Sequence, residues 1–286
     1  MDPVTSEARA PLPCGERLFA LGERTLIMGV VNITPDSFSD GGRYLEPVAA
    51  YDHAQRLLDE GADVIDLGAQ STRPGASPIG ADEELRRLVP VLERLVAAGV
   101  GALSIDTDKA TVAAAALQLG AAWINDVSGL ADRGLAAACR GAQALVVMHH
   151  RSMRADRPED DVRYGDLVGE VVDELSRLCQ QAEAAGLKPS QLIVDPGIGF
   201  GKSVADNVAL LQRCAELAVL GRPVLVGPSR KRFLSVLSGA DSARERDEAT
   251  VGACCLAASN GADIVRVHNV GAVRRALAIV DAGRRP

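Results

Sequence analysis

Short apolar runs recur along the chain, and most are followed by a stretch in which apolar residues repeat with helical spacing. Runs rich in Val, Ile and Leu predict eight buried strands, at 25–31, 63–68, 102–106, 121–125, 143–148, 191–195, 223–227 and 263–267. Between them, apolar residues fall on one helical face, most clearly in 85–96 and 168–179. Several helical stretches end at a glycine just before the next strand, as at Gly61 and Gly261, which is a common way for a helix to terminate.

Eight strand–helix units in a chain of 286 residues predict a (β/α)8 barrel, the TIM barrel of the α/β class, with a closing helix at about 270–283. A doubly wound sheet is the alternative, and the absence of GxGxxG after the first strand weakens it. We expect a single barrel domain at 23–286, preceded by a short, loosely ordered N-terminal extension at 1–22.

The composition narrows the class of protein. Hydrophobic residues make up 47% and aromatic residues 3%, so the core consists mainly of Ala, Val, Leu and Ile. A net charge of -7 disfavours nucleic acid as a partner. The six cysteines show no CxxC spacing, which predicts reduced thiols and a cytoplasmic location. The N-terminus does not resemble a signal peptide, and no apolar run is long enough to span a membrane, so we expect no membrane partner.

Polar residues stand where nearly every predicted strand ends. They are Asn32, Asp66, Asp106, Asn125 with Asp126, His149 after Met148, Asp195, Ser229 with Lys231, and Arg266 with His268. One such residue is often a helix cap, but the strands of a barrel all end on one face, where together these residues would form a polar cup. The loop after the first strand, 32–42, has about a dozen residues where about 2 to 6 are usual, which favours a binding loop.

The cup divides by charge. Asp106, Asn125 and Asp195 offer acceptors to a flat heterocycle with N–H donors, and Lys231 suits an acceptor on the same ring. Anion-binding groups come from the first, second and eighth strands: Asn32, Arg73, Arg266 and His268. A magnesium ion held by the Asn32 amide oxygen could bridge to a phosphate or pyrophosphate. Ser71 and Ser229 lack an evident base, so the pattern favours displacement of a phosphate-type leaving group over acyl-enzyme chemistry.

Seven motifs in order resemble the dihydropteroate synthases of the folate pathway. They are MGVVNITPDSFSDGG at 28–42, STRPGA at 71–76, SIDT at 104–107, INDVSG at 124–129, DPGIGFGK at 195–202, GPSRKRFL at 227–234 and RVH at 266–268. The resemblance runs from about residue 25 to the end and implies a TIM barrel. It also implies condensation of 6-hydroxymethyl-7,8-dihydropterin pyrophosphate with p-aminobenzoate to give 7,8-dihydropteroate and pyrophosphate.

The resemblance further implies the role of each site residue. The pterin would be held by Asp106, Asn125, Met148, Asp195, Lys231 and Arg266. Pyrophosphate with magnesium would be held by Asn32, Arg73, Arg266 and His268, with Asn32 as the metal ligand. The p-aminobenzoate pocket would consist of Phe38, Thr72, Pro74, Phe200, Ser229 and Lys231, with Asp36 in the loop that closes over it. The catalytic set would be Asp106, Asp195, Lys231, Arg266 and His268. A homodimer through the last helices and competition by sulfonamides are also implied.

The chain departs from the family pattern at Gln70, where Glu is usual, at Arg232, where Ser is frequent, and at Asn269, where Asp is common; the charged loop 149–163 falls where the family varies. Two alternatives therefore stay open. One is a non-catalytic paralogue that binds pterin, supported by Gln70 and Asn269. The other is a corrinoid-type folate methyltransferase, which shares related Asp and Asn positions but does not need the STRPGA and SRK motifs.

Several polar residues have structural interpretations instead. Asp66 is expected to be an internal hydrogen-bond partner. Lys202 and Asp126 either cap a loop or support the site, and His53 and His150 are expected at the surface.

Overall fold

A computed structural model describes residues 10–34, 46–71, 77–151 and 163–284. A short hairpin, β1 (Leu12–Cys14) and β2 (Arg17–Phe19), precedes eight further strands. These are β3 (Leu26–Asn32), β4 (Val64–Gly68), β5 (Leu103–Asp106), β6 (Trp123–Asp126), β7 (Ala144–Met148), β8 (Leu192–Asp195), β9 (Leu225–Val226) and β10 (Ile264–Val267). The helices of the described residues are α1 (Glu46–Asp59), α2 (Ala81–Ala97), α3 (Ala110–Gln118), α4 (Leu135–Ala138), α5 (Leu167–Ala184), α6 (Val204–Gln212), α7 (Arg232–Ser238), α8 (Asp247–Ser259) and α9 (Val270–Arg284).

The eight strands β3 to β10 form one parallel sheet that closes on itself. Their order is β8-β7-β6-β5-β4-β3-β10-β9. The two ends of this order meet because Val194 bridges to Val224 and its N–H donates to the Pro223 oxygen at 2.9 Å. The predicted TIM barrel, its eight strands and its closing helix α9 are therefore confirmed, and the doubly wound alternative is wrong.

Alternate residues of each strand face opposite sides, as strand geometry requires. On β3, Ile27 and Val31 join the apolar layer beneath the helices, whereas Leu26 and Met28 join a second cluster inside the barrel. The interior cluster occupies only the lower part of the barrel, where the strands begin. Towards their carboxyl ends the residues of the same set become polar, such as Asp66 above Val64 and Asn125 above Trp123. The same alternation that builds the core therefore turns the site residues inward.

The N-terminal hairpin closes the floor of the barrel. Leu12, Cys14 and Phe19 are buried with the interior cluster, and the Trp123 indole N–H donates to the Pro13 oxygen at 2.7 Å. The expectation of loose order is thus wrong for the residues that form the hairpin. Two three-residue strands are too short to show a period, and they are stabilised by an apolar barrel floor that only the complete sheet provides.

Two further expectations concern the thiols and the membrane. All six cysteines are free and five are buried, which confirms the prediction of unpaired thiols. Within the described ranges, no helix combines the length and apolar character needed to cross a membrane.

Candidate active site

Several of the polar strand ends line one open cleft at the carboxyl face of the barrel, whereas Asn125, Met148 and Asp195 are not among its lining residues. Its volume is about 1340 Å³. The predicted site residues along its wall are Asn32, Asp106, Phe200, Ser229, Lys231, Arg266 and His268. Asp36, Phe38, Thr72, Arg73 and Pro74 lie outside the described residues. Their predicted roles, and those of the wall residues, stay predictions.

Arg266 is held by two carboxylates at the centre of the barrel mouth. Its Nε donates to Asp66 Oδ2 at 2.6 Å, and its Nη2 donates to Asp106 Oδ2 at 2.7 Å. The same Asp66 oxygen accepts from Asn125 Nδ2 at 3.1 Å. Asp66 is fully buried, so it serves as an internal partner, as expected, and it holds two site residues that come from different strands.

Burial is the largest influence on the pKa values of the ionisable residues at the barrel mouth. It raises the pKa of Asp106 to about 7, against the attraction of Arg266, and the neighbouring Asp66 adds to the shift. Burial likewise raises the pKa of Asp195. For Arg266, burial lowers the pKa, but Asp66 and Asp106 together outweigh it and raise the pKa above its ordinary value. The mouth therefore holds a permanent cation between carboxylates, of which Asp106 titrates close to neutral pH.

The pterin-binding candidates lie at matching levels on adjacent strands. Asp106 is the register partner of Asn125, and Met148 is the register partner of Asp195. Asp195 accepts from the Gly197 N–H at 2.7 Å, which turns its carboxylate against the start of the following loop. Strand pairing alone thus brings three acceptors and one apolar side chain together inside the barrel mouth.

The DPGIGFGK segment after β8 passes close to other backbone and side chains. Gly197 has φ +70°, and a methyl group there would collide with the His149 backbone oxygen. A methyl group at Gly199 would collide with the Lys231 side chain. The Lys231 ammonium lies 3.8 Å from the centre of the Phe200 ring, a cation–π contact. The glycines of this motif therefore allow the loop to bring Phe200 and Lys231 together.

His268 lies between Ser229 and Asn32 in the wall of the cleft. Its Nδ1 lies 2.9 Å from Ser229 Oγ, and its Nε2 lies 3.4 Å from Asn32 Nδ2. The expectation that Ser229 lacks a basic neighbour is therefore wrong, because the loop after β9 and the end of β10 are adjacent only once the barrel has formed. Ser229 Oγ also accepts the His268 backbone N–H at 3.2 Å, which restrains the hydroxyl.

A buried lysine supports the β8 loop from below. Lys202 Nζ lies 2.9 Å from His149 Nδ1 and donates to the backbone oxygens of Gly197 and Phe200. Of the two roles left open for Lys202, the structure favours support of the site. Asp126 instead accepts from Ser128 and Leu130 N–H groups, so it organises its own loop.

The unusual residues Gln70 and Asn269 have structural partners. Gln70 Oε1 accepts from Lys109 Nζ at 2.9 Å and from the Ile79 N–H at 3.1 Å. Lys109, which the sequence did not single out, also pairs with the buried Glu84 at 2.7 Å. Asn269 accepts the Ala272 N–H in the first turn of α9. An amide can make each of these bonds, so neither departure disrupts the local structure.

His150 and His53 were expected at the surface, and both are half-buried. His150 Nδ1 lies 2.7 Å from the Val127 oxygen, and its ring centre lies 5.3 Å from that of Phe200. His53 lies beside Arg56 at the edge of the cleft. For His150 the expectation failed because the segments that cover its ring, at Val127 and Phe200, are distant in sequence.

Known proteins match this chain over nearly its whole length. The family described as pterin binding enzyme matches residues 28–268. A dihydropteroate synthase of Synechocystis sp. is 41% identical over 284 residues, which cover 99% of this chain and 98% of that protein. The structure of Xanthomonas albilineans dihydropteroate synthase with 4-aminobenzoic acid has a TM-score of 0.89 at 44% identity, covering 97% of this chain and 99% of that one. Another structure of the enzyme from that organism, in complex with 7,8-dihydropteroate, has a TM-score of 0.84 at 39% identity, covering 96% and 99%. On the fold, the site and these matches, the chain belongs to the dihydropteroate synthase family of pterin-binding enzymes.

Proposed function

We propose that this protein is a transferase of folate synthesis. It condenses 6-hydroxymethyl-7,8-dihydropterin pyrophosphate with p-aminobenzoate and yields 7,8-dihydropteroate and pyrophosphate. The observation that carries this proposal is the pairing of Arg266 with Asp66 and Asp106, because it joins the acceptors for the heterocycle to the cationic side of the same cleft. The ligands of the Xanthomonas structures, 4-aminobenzoic acid and 7,8-dihydropteroate, support the choice of substrates.

The pterin end of the site uses fixed acceptors. Asp106, Asn125 and Asp195 accept from the N–H groups of the pterin ring, and Lys231 donates to a ring acceptor. Met148 is 1% exposed and forms an apolar wall of the same pocket. The Arg266 guanidinium lies against the ring, held there by its two carboxylate partners. Because these groups are ordered before the substrate arrives, binding requires little reorganisation.

The pyrophosphate end uses Asn32, Arg73, Arg266 and His268. Among the residues that the structure describes, no group of three His, Cys, Asp or Glu side chains is placed to hold a metal ion. A single amide oxygen still fits magnesium, which keeps several waters and binds substrate phosphates. Asn32 supplies that oxygen, since its Nδ2 is directed to His268. When bound, magnesium would neutralise charge on the departing pyrophosphate.

The p-aminobenzoate end consists of Phe200, Ser229 and Lys231, with Phe38, Thr72 and Pro74 and the Asp36 loop closing over it. The amine of p-aminobenzoate then approaches the methylene carbon of the pterin. The bond between this carbon and the pyrophosphate oxygen breaks with its electron pair leaving on pyrophosphate, while the electron-rich ring stabilises the cationic carbon. The amine lone pair forms the new C–N bond, and the proton that it loses passes to solvent or pyrophosphate. An aromatic amine is nucleophilic without prior deprotonation, so no general base is needed.

The first test is pyrophosphate release by the purified protein with dihydropterin pyrophosphate and magnesium, with and without p-aminobenzoate. We expect release that requires p-aminobenzoate and falls at least about a hundredfold in Asp195→Asn and Lys231→Ala, which remove one pterin contact each. Asp59→Asn, an exposed change on α1, serves as the matched control and leaves the rate unchanged. A wild type that binds the pterin but releases nothing would favour the pterin-binding paralogue. Methyl transfer from a methylfolate, without pyrophosphate release, would favour the corrinoid-type methyltransferase.

Magnesium dependence has its own test. Removal of divalent ions with a chelator should abolish release, and added magnesium should restore it. Asn32→Ala should raise the magnesium concentration needed for half-maximal activity, whereas Ser71→Ala should not. A rate that is the same in chelator would contradict the role of the metal.

A homodimer and a cytoplasmic location complete the proposal. Ile279 on α9 is 78% exposed, which supports an interface that includes the last helix. Sedimentation should give twice the chain mass for the wild type and the monomer mass for Ile279→Asp.

Six unpaired thiols suit a reducing compartment, and fractionation of the source cells would test the location.

A further inference from the structure

Lys202 is almost completely buried, although it belongs to none of the substrate-binding groups named above. It is 3% exposed. Its Nζ lies 2.9 Å from His149 Nδ1, 2.9 Å from the Gly197 oxygen and 3.1 Å from the Phe200 oxygen. Three acceptors match the three N–H donors of an ammonium group. The side chain is therefore fully bonded inside the protein and has no donor left for a substrate.

These bonds connect the ends of two neighbouring strands. His149 directly follows β7, and its N–H donates to the Asp195 oxygen at 2.9 Å. Gly197 and Phe200 belong to the loop after β8. Asp195 is further held by the strand pairing of β8 and by the Gly197 N–H. Phe200 lies farther along the loop, so its position depends more strongly on Lys202.

A second buried residue holds the same loop from the other side. Asn207 accepts the Gly199 N–H at 2.6 Å and donates to the Lys202 oxygen at 3.2 Å. The Phe200 backbone lies between these two attachments, and its ring lies below the Lys231 ammonium. Lys202 thus links the base of the pterin pocket to the aromatic ring at the p-aminobenzoate end.

The protonation of the pair fits this arrangement. Burial lowers the pKa of His149 to about 3, and the positive charge of Lys202 contributes, so the imidazole is neutral and Nδ1 can accept. Burial also lowers the pKa of Lys202 to about 7, against the opposing effect of Asp195, so the ammonium with its three donors is the main form below that pH. A buried ammonium without hydrogen-bond partners is strongly unfavourable, because nothing replaces the water that it loses. The burial of Lys202 therefore depends on its three hydrogen bonds.

We propose that Lys202 is a positioning residue for p-aminobenzoate: by binding the Phe200 and Gly197 oxygens and His149, it sets the position of the Phe200 ring beside Lys231. The inference rests on the proposed condensation and on Phe200 contacting p-aminobenzoate. It predicts that loss of the ammonium weakens p-aminobenzoate binding more than pterin binding. A residue that only stabilised the fold would lower stability and change neither affinity selectively.

The test is a double-mutant cycle with Lys202→Met, which keeps the length of the side chain and removes its donors, and Phe200→Leu. Each single variant should raise the KM for p-aminobenzoate about tenfold or more, while the Kd for dihydropterin pyrophosphate changes less than about threefold. The double variant should have a KM no more than about twofold above that of Phe200→Leu, because both changes act through the same ring. Thermal unfolding confirms that each variant is folded at the assay temperature.

The outcomes separate the inference from the proposed function. The inference would be overturned if the KM of the double variant rose by the product of the two single effects. It would also be overturned if Lys202→Met weakened pterin and p-aminobenzoate binding equally. In either case an active wild type would still uphold the proposed function. A wild type without p-aminobenzoate-dependent release would overturn both. If Lys202→Met does not fold, His149→Leu replaces it in the cycle. It removes one of the three acceptors, so a smaller but selective rise in the same KM is expected, and no selective rise would overturn the inference.

Discussion

Arg266 Nη2 donates to Asp106 Oδ2 across 2.7 Å, although 160 residues separate the two along the chain. The pair joins β10 to β5 across the barrel mouth and brings a half-buried guanidinium to a carboxyl group whose pKa is about 7. On the proposed function, the cation that attracts pyrophosphate and an acceptor for the pterin are therefore parts of one bonded unit. A substitution of either residue should therefore weaken binding of both the pterin and the pyrophosphate parts of the substrate.

Pterin binding should depend on pH through Asp106. Burial raises the pKa of this carboxyl, so it is protonated below about pH 7 and accepts poorly from pterin N–H groups. Affinity for a non-reactive pterin should rise as the pH increases from 6 to 8, as calorimetry can measure, and the Asp106→Asn variant should lack this part of the dependence. Because the folded pKa lies above the unfolded value, the contribution of Asp106 to stability is present below its ordinary pKa and is lost as the pH rises through about 7. Equal pH profiles of pterin affinity for Asp106→Asn and the wild type would contradict the role of Asp106 in this dependence.

Gly197→Ala should destabilise the protein by about 3 kcal/mol or more, since a methyl group there meets the His149 oxygen and a positive φ is unfavourable for alanine. The matched control is Gly252→Ala within α8, where no atom lies near the added methyl group. It should be neutral or stabilising by up to about 1 kcal/mol. Chemical denaturation of both variants gives the comparison, and equal effects would disprove the close contact.

The hairpin on the barrel floor offers a second matched pair. Phe19 is 6% exposed and Leu18 is 65% exposed, although they are neighbours on β2. Phe19→Ala should cost about 3 kcal/mol of unfolding free energy, whereas Leu18→Ala should cost less than about 0.5 kcal/mol. If both substitutions were harmless, the hairpin would not contribute to the stability of the barrel.

Restoring the residues that are usual in the family should change activity little. Gln70→Glu keeps an acceptor for Lys109 and the Ile79 N–H. Asn269→Asp keeps the acceptor for the Ala272 N–H but loses the Nδ2 that donates to Asp247 Oδ2 at 3.1 Å, an oxygen that still accepts from Arg230. We expect the double variant to stay within about threefold of the wild-type kcat/KM, which is less than about 1 kcal/mol of transition-state energy. Activity that appeared only in the double variant would show that these two residues had inactivated the natural chain.

Sulfonamides should compete with p-aminobenzoate for its proposed site at Phe200, Ser229 and Lys231. Initial rates at several p-aminobenzoate concentrations should show a higher KM and an unchanged maximal rate when a sulfonamide is added. Rates that stay unchanged at saturating sulfonamide and limiting p-aminobenzoate would exclude competition.

The sequence by itself determined the barrel and the identity of most of its mouth. The alternation of apolar residues within strands and their helical spacing between strands are local signals, and parallel strands of a barrel must end on one face. Asn32, Asp106, Asn125, Asp195 and Arg266 could therefore be assigned to one face of the barrel before any contact was known, and Asn32, Asp106 and Arg266 line one cleft there.

Only the tertiary structure decided which of these side chains bind one another. Asp66 and Arg266 are 200 residues apart, and Lys202 and His149 are 53 apart, so their pairing depends on the closure of the sheet and not on local pattern. The hairpin at 12–19 follows the same rule, because its strands gain stability only from the barrel floor that they cover. Periodicity reports which face of an element is buried, whereas the partner on that face is set by packing between distant segments.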